Sequence, residues 1–233
     1  MRKSRIGAVT NAVPKPSNVA VPTSNPYAFS KASKYYVSEV VRAIHEKNSL
    51  AVEHINASLL YMAQTQEIIS NIYELQADPI ELPQRQECLN RKTLVLDLDE
   101  TLIHCFENAE SEPDLKLDIE IEGTPVEISL MIRPYAISFL KRICQKWEVM
   151  IFTASHEDYA NAILNEIDPE GEIFQHRLYR QHCTCINDFY FKDLSRINRD
   201  PRRMVLVDNA AYSYVLQLNN GIPILPYYDG KDY

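Results

Sequence analysis

The run RKTLVLDLDETLIHCF, residues 91–106, decides how this chain is read. Its first half, KTLVLDLD, has the apolar content of a strand buried in a sheet. Yet it ends in four acidic or hydroxyl side chains, Asp97, Asp99, Glu100 and Thr101. Carboxylates at a buried strand end are costly unless something neutralises them. The run therefore predicts a site, and the rest of the chain should supply its partners.

Downstream, short apolar runs alternate with helical stretches. LKLDIEIEG alternates strictly, with Leu115, Leu117, Ile119 and Ile121 on one face and Lys116, Asp118, Glu120 and Glu122 on the other. EGTP supplies a turn and VEISLMI alternates again, which predicts a β-hairpin with one wet face. RPYAISFLKRICQKW starts a helix with Pro134 near its first turn. EVMIFTAS reads as a second buried strand. HEDYANAILNEID reads as a helix with Ser155 as its N-cap. RMVLVDN and GIPILPY are a third and a fourth buried strand. Buried strands separated by helices predict an α/β fold, a parallel sheet flanked by helices, with the hairpin as an insertion.

Ligands bind beyond the carboxyl ends of such strands. The first strand ends in Asp97, Asp99 and Thr101, the second in Thr153 and Ser155, the third in Asp208 and Asn209. Asp97 and Asp99 are alternate residues, and as the chain turns out of the sheet the second carboxylate can swing over the first. Two carboxylates that close need a neutralising partner. An all-oxygen set of Asp97, Asp208 or Asn209, and water suits Mg²⁺, which often bridges to phosphate. A cationic side chain is also expected, and YFKDLS offers Lys192.

The 233 residues carry a net charge of −8, which argues against sequence-independent nucleic-acid binding. Five cysteines without paired spacing suggest a reducing compartment. No apolar run approaches the roughly 18 residues of a membrane span, and none reads as a secretory signal. Residues 1–35 are rich in Pro, Ser and Asn and read as a disordered tail. Being basic and acid-poor, they also admit a mitochondrial targeting reading, which the prolines oppose. From Tyr27 to Asp78 there is neither Gly nor Pro, and apolar residues recur at helical spacing. Residues 36–78 thus form a helical extension of one or two helices. It either packs on the following domain or binds a partner or a second copy. Asp78-Pro79 and Pro83 mark a linker over 79–90, and the α/β domain occupies 91–233.

The string LVLDLDETLIH resembles the DxDxT signature of the haloacid dehalogenase (HAD) superfamily. More closely, it resembles the FCP/SCP-like phosphatases, which act on the RNA polymerase II C-terminal domain. IRP at 132–134, FTAS at 152–155, LYRQHC at 178–183, YFKDLS at 190–195 and LVDN at 206–209 continue the likeness over roughly 91–230. The resemblance implies a Rossmann-like HAD sheet and hydrolysis of a phosphoprotein through an aspartyl-phosphate. It implies that Asp97 is the nucleophile and Asp99 the general acid and base, with its backbone carbonyl on the metal. Thr101 would fix the nucleophile loop, Thr153 would bind phosphoryl oxygens, and Lys192 would offset charge. Asp97, Asp99 and Asn209 would hold Mg²⁺, and Asp208 would orient metal-bound water. Arg180 is a candidate for positioning a loop or substrate.

Ala210-Ala211 stand where the family commonly has Ser-Pro, and Gln181 where it often has Glu. Neither removes an expected catalytic group. The chain stops at Tyr233, before helices that usually close the family domain, so the N-terminal helix is expected to cover the face they leave. The intervals Thr101–Thr153 and Thr153–Lys192 leave no room for a full α/β cap. That predicts an open site for phosphoserine or phosphothreonine on an extended protein segment, with the hairpin as one wall. Such an enzyme would be nuclear or cytoplasmic. The rival reading is a non-catalytic module like the mitochondrial presequence-translocase receptor of this domain type, which has a membrane span and altered catalytic residues.

Other residues carry less. His176, His182, Cys183 and Cys185 do not match paired zinc-ligand spacing. His104 and Cys105 are expected to pack. Trp147 is expected at a helix end, and Tyr227, Tyr228 and Tyr233 at a groove border or in the core.

Overall fold

A computed structural model describes residues 49–70, 78–106, 112–121 and 123–228. The predicted tail 1–35, the ends of the predicted 36–78 helix and Tyr233 lie outside the described residues. The first described helix, α1, runs Ser49–Ser70.

The central sheet is wholly parallel. It contains β1 (Lys92–Leu96), β5 (Trp147–Phe152), β6 (Phe174–Leu178), β9 (Met204–Asp208) and β10 (Gly221–Pro223) in the order β10-β9-β1-β5-β6. The chain moves outward from β1 through β5 to β6, then returns to place β9 on the other side of β1. That reversal opens a crevice at the carboxyl ends of β1 and β9. Asp97 follows β1 directly, and Asp208 closes β9.

The twofold repeat of the strands splits the core into two layers. Leu94, Leu96, Val149 and Ile151 face helix α3 (Glu157–Ile167), which buries Ala160, Ile163, Leu164 and Ile167 there. Helix α2 (Ala136–Ile143) adds Ala136 and Leu140 to that layer. Val95, Met150, Phe152 and Leu206 point the other way. They meet Leu194, Ile197 and the 3₁₀ segment Ala211–Asn220, and α1 closes this layer with Met62. Complete burial of Met62 contributes about 2 kcal/mol relative to exposure. Gly221 lies so close beneath the Tyr214 ring that a Cβ there would stand 2.1 Å from it.

Several expectations are refined. The predicted hairpin is β3 (Leu115–Ile121) with β4 (Thr124–Ile132), and β2 (Ile103–Phe106) joins β4 to make a three-stranded antiparallel sheet. β3 alternates half-buried and exposed residues, and its Leu117 packs on the layer below α3. β6 is a fifth parallel strand with no apolar run to announce it. As an edge strand it carries Gln175, His176 and Arg177 partly exposed. The Asp168 carboxylate holds its start by accepting the N–H groups of Glu172, Ile173 and Phe174. Pro134 stands next to the first turn of α2, directly before Tyr135, the N-cap residue, which takes the left-handed conformation (φ 65°). Trp147 opens β5 instead of ending a helix. Asn187 and Asp188, both at positive φ, turn the small hairpin of β7 (Thr184–Ile186) and β8 (Phe189–Phe191).

At the opposite end of the sheet, Glu148 is fully buried. It accepts hydrogen bonds from Thr93 Oγ1 (2.9 Å), Gln84 Nε2 (3.0 Å) and both Nε and Nη2 of Arg199 (2.8 and 2.6 Å). Burial pushes this carboxyl up, but the bonds from Arg199 and Thr93 outweigh it and hold it below its usual range. Arg199 also donates to the Leu82 carbonyl, so the linker is tied to the base of the sheet. Arg199→Met strands a buried carboxylate and is expected to cost about 3–5 kcal/mol in denaturant unfolding. The double variant with Glu148→Gln should recover much of that loss. A double variant no more stable than the single one would contradict this account.

Candidate active site

The turn after β1 is tight. The N–H groups of Thr101, Leu102 and Ile103 all point to the Leu98 carbonyl, and Glu100 N–H returns to Ile103. Glu100 adopts φ 56°, a left-handed conformation rare for a side-chain-bearing residue. The turn keeps Asp97 and Asp99 at one mouth and sends their carboxylates to different walls.

Asp97 is buried. Its Oδ1 accepts from Lys192 Nζ (2.5 Å) and its Oδ2 from Thr101 Oγ1 (2.8 Å). Lys192 follows β8 directly, and its backbone N–H is pinned to the Ser213 carbonyl (2.7 Å). Its ammonium also donates to Asp208 Oδ2 (2.6 Å), which accepts from Ser213 Oγ as well (2.6 Å). Asp208 Oδ1 accepts the Ala210 N–H (2.7 Å). Asp208 thus anchors the ammonium and the following turn; both of its oxygens are engaged within the protein.

Asp99 sits on the opposite wall. Its Oδ2 accepts from Ser155 Oγ (2.6 Å) and, at 3.4 Å, from Thr153 Oγ1; its Oδ1 accepts from Tyr159 OH (2.7 Å). Ser155 is therefore not a helix cap: His156 is the N-cap residue of α3 and makes no side-chain cap bond. Tyr159 lies in α3, far along the chain from Asp99. A helix face that presents a hydroxyl to a distant loop leaves no mark in local periodicity.

Asp97, Asp99, Thr153, Lys192, Asp208 and Asn209 line one cleft, and Thr101 supports it from below. Arg180 stands outside it. Its Nε donates to the Ala154 carbonyl (2.6 Å), and its guanidinium lies over Tyr190, itself at the cleft.

Charge dominates this cleft. Burial pushes the Asp97 carboxyl up to about 8; Lys192 opposes that shift, and Asp208 and Asp99 add to it. The two carboxylates outweigh desolvation at Lys192 and hold it protonated, above its ordinary value. Asp97, Asp99, Glu100 and Asp208 set four carboxyl groups around one ammonium, an excess of acid that a divalent cation would offset. Among the described residues no group of three His, Cys, Asp or Glu side chains is placed to hold a metal. The set expected here differs in kind, being the Asp97 carboxylate, the Asp99 backbone carbonyl and the Asn209 amide, all oxygen donors of the type that suits Mg²⁺.

A model of the NLI interacting factor-like phosphatases matches residues 92–233. The chain belongs to that family. A probable C-terminal domain small phosphatase of Dictyostelium discoideum is 40% identical over 154 residues, 66% of this chain and 50% of that protein. The human carboxy-terminal domain RNA polymerase II polypeptide A small phosphatase 2 is 37% identical over 144 residues, 62% of this chain and 53% of the relative. The chain spans about half the length of these two relatives. Among solved structures, a variant of the fission yeast RNA polymerase II CTD phosphatase Fcp1 bound to beryllium fluoride superimposes with a TM-score of 0.51. The identity is 24%, covering 59% of this chain and 42% of that one, and the likeness shows the HAD-like fold.

Within this NIF-type domain the remaining candidates have their own partners. His176 Nε2 lies 2.9 Å from the Pro83 carbonyl, and His182 Nδ1 accepts the Tyr179 N–H. Tyr227 is buried, with its N–H on the Glu100 carbonyl, and Tyr228 is half-exposed against His104. Cys105 meets Tyr159 OH (2.8 Å), and Cys183 backs onto the Thr153 carbonyl. Burial pushes both thiols up to about 12, which disqualifies either as a nucleophile. In a labelling time course at pH 8 read by mass spectrometry, both should alkylate at least about 100-fold more slowly than an unperturbed thiol. Exposed Cys185 should label first. Early labelling of Cys105 would contradict the geometry.

Proposed function

We propose that this domain is a Mg²⁺-dependent protein serine/threonine phosphatase that works through an aspartyl-phosphate. The observation that carries the reading is the Lys192 ammonium set between Asp97 and Asp208 in the cleft that Asp99 also lines. The family match and the phosphatase names of the relatives support it.

In the proposed first step an Asp97 oxygen attacks phosphorus and the bond to the serine or threonine oxygen breaks. Asp99 gives its proton to that oxygen, and the phosphoryl group stays on Asp97. Asp99 then takes a proton from a water that attacks the same phosphorus, so inorganic phosphate leaves and Asp97 is restored. Ser155 and Tyr159 suit both protonation states of Asp99, because a hydroxyl can donate or accept. Lys192 and the Thr153 hydroxyl face the charge that develops on the phosphoryl oxygens. Asp97, the Asp99 carbonyl and Asn209 would hold Mg²⁺, which when bound neutralises phosphoryl charge.

The insertions between the site's segments are the β2-β4-β3 sheet with α2, and α3 with β6 and the β7-β8 hairpin. Among the described residues neither forms a separate α/β cap, which supports an extended phosphopeptide as substrate, with the β-sheet insertion as one wall. The relatives' names point to segments like the RNA polymerase II C-terminal domain and to a nuclear or cytoplasmic setting rather than a mitochondrial one. Among the described residues no helix is long and apolar enough to cross a membrane.

Two measurements test this. A phosphoserine and phosphothreonine peptide panel should be turned over with Mg²⁺, and Asp97→Asn should lower kcat by at least about 1,000-fold; full activity in that variant would refute the mechanism. In the metal-free protein the Asp97 carboxyl holds its proton below about 8. Mg²⁺ binding must displace that proton, so affinity should rise with pH and weaken about tenfold per unit below 8. Calorimetry in buffers of different ionisation enthalpy should show proton release near pH 7. Binding without release would remove Asp97 from the ligand set.

A further inference from the structure

Both oxygens of Asp99 are held by one stretch of chain, the end of β5 and the first turns of α3. Oδ2 accepts from Ser155 Oγ (2.6 Å) and lies 3.4 Å from Thr153 Oγ1, while Oδ1 accepts from Tyr159 OH (2.7 Å). Asp99 and Thr153 line the cleft, and Tyr159 stands behind it, packed against the apolar layer that contains α3. Oδ2 is therefore the oxygen on the reacting side, and Oδ1 is turned towards the helix.

The two hydroxyls differ. A serine hydroxyl turns about its own bond and can donate or accept. A phenol has one proton, which it keeps at neutral pH. Tyr159 also has a second neighbour, because Cys105 Sγ lies 2.8 Å from the same phenol oxygen. A thiol is a weak donor, so the Cys105 proton can go to the phenol oxygen while the phenol gives its own to Asp99. A protonated carboxyl carries its proton on one oxygen and accepts at the other. With Tyr159 donating to Oδ1, the proton falls to Oδ2.

We propose that Tyr159 is a positioning residue: its hydroxyl keeps Oδ1 of Asp99 as an acceptor, so that Oδ2 carries the proton to the leaving oxygen. The proposal rests on the reading of Asp99 as general acid. As the P–O bond breaks, its electron pair stays on the serine or threonine oxygen, and the proton on Oδ2 moves to that oxygen. Asp99 is left as a carboxylate, to which Ser155 and Tyr159 both donate in the arrangement seen here. Tyr159 acts through Asp99 and lies outside the cleft.

The test uses the full chain with Mg²⁺ and two substrates. A phosphoserine peptide must release a strongly basic alkoxide unless that oxygen is protonated. 4-Nitrophenyl phosphate releases a weakly basic phenolate that needs little help. Read as kcat/KM, Tyr159→Phe should lose about tenfold more on the peptide than on the 4-nitrophenyl ester, the worth of one hydrogen bond to a charged group. Asp99→Asn should show the same bias at about 100-fold. In the Asp99→Asn background, Tyr159→Phe should leave the peptide-to-ester ratio within about twofold. Equal losses on both substrates in Tyr159→Phe, or no loss on either, would overturn the proposal while leaving Asp99 as the acid. A further shift of the ratio in the double variant would overturn it too, because Tyr159 would then act apart from Asp99. No bias in Asp99→Asn, or a wild-type chain that turns over neither substrate, would overturn the general-acid reading and this proposal together.

Discussion

One buried ammonium holds three strands' worth of chemistry in register. Lys192 Nζ lies 2.5 Å from Asp97 and 2.6 Å from Asp208, and all three groups are almost wholly out of solvent. Burial still pushes the Asp97 carboxyl up to about 8, because the ammonium is shared with Asp208. With the ammonium between them, the ends of β1 and β9 can both carry acids on either side of the crevice where the strand order reverses. The β7-β8 hairpin then has a clear task, since its turn at Asn187-Asp188 delivers Lys192 to that gap. Removal of any one of the three charges unbalances the other two, which makes the arrangement cooperative.

The two ends of the sheet solve a similar problem in different ways. At the amino end, Glu148 is saturated by Arg199, Thr93 and Gln84, so nothing there can accept a ligand. At the carboxyl end, four carboxyl groups surround one ammonium, and burial among them pushes Asp97 up to about 8. A network with its charges matched rigidifies, and one with excess acid can take up a cation. The contrast separates framework from function more sharply than burial does, because both sets of residues are buried.

Much of this was legible in the residues alone. Apolar runs marked β1, β5, β9 and β10, and polar residues at three of their ends placed Asp97, Asp99, Thr153, Asp208 and Asn209 at one mouth. Lys192 was named because the carboxylates needed a cation and the resemblance supplied its position. What escaped notice has physical reasons. β6 is an edge strand whose polar residues mask its period. Ser155 read as a cap because serine before a helix usually is one; here its hydroxyl goes to Asp99. Tyr159 acts on Asp99 across a long sequence separation, and periodicity reports only which face of a helix is apolar. The predicted N-terminal helix was expected to shield a face, and in the structure α1 packs Val52, Leu59 and Met62 into the layer that contains Ala211 and Tyr214.

Gly221 shows how far the site's tolerances extend. The Tyr214 ring fills the space where a methyl would go, and Tyr214 adjoins Ser213, whose hydroxyl sits on Asp208. A hydrogen atom at the start of an outlying strand thus sets the seat of an aromatic ring two links from the reactive centre. Genetic screens for heat-sensitive alleles would find a natural target there. Alanine at that codon is chemically mild, yet its effect would surface as a conditional defect at a centre the substitution never touches.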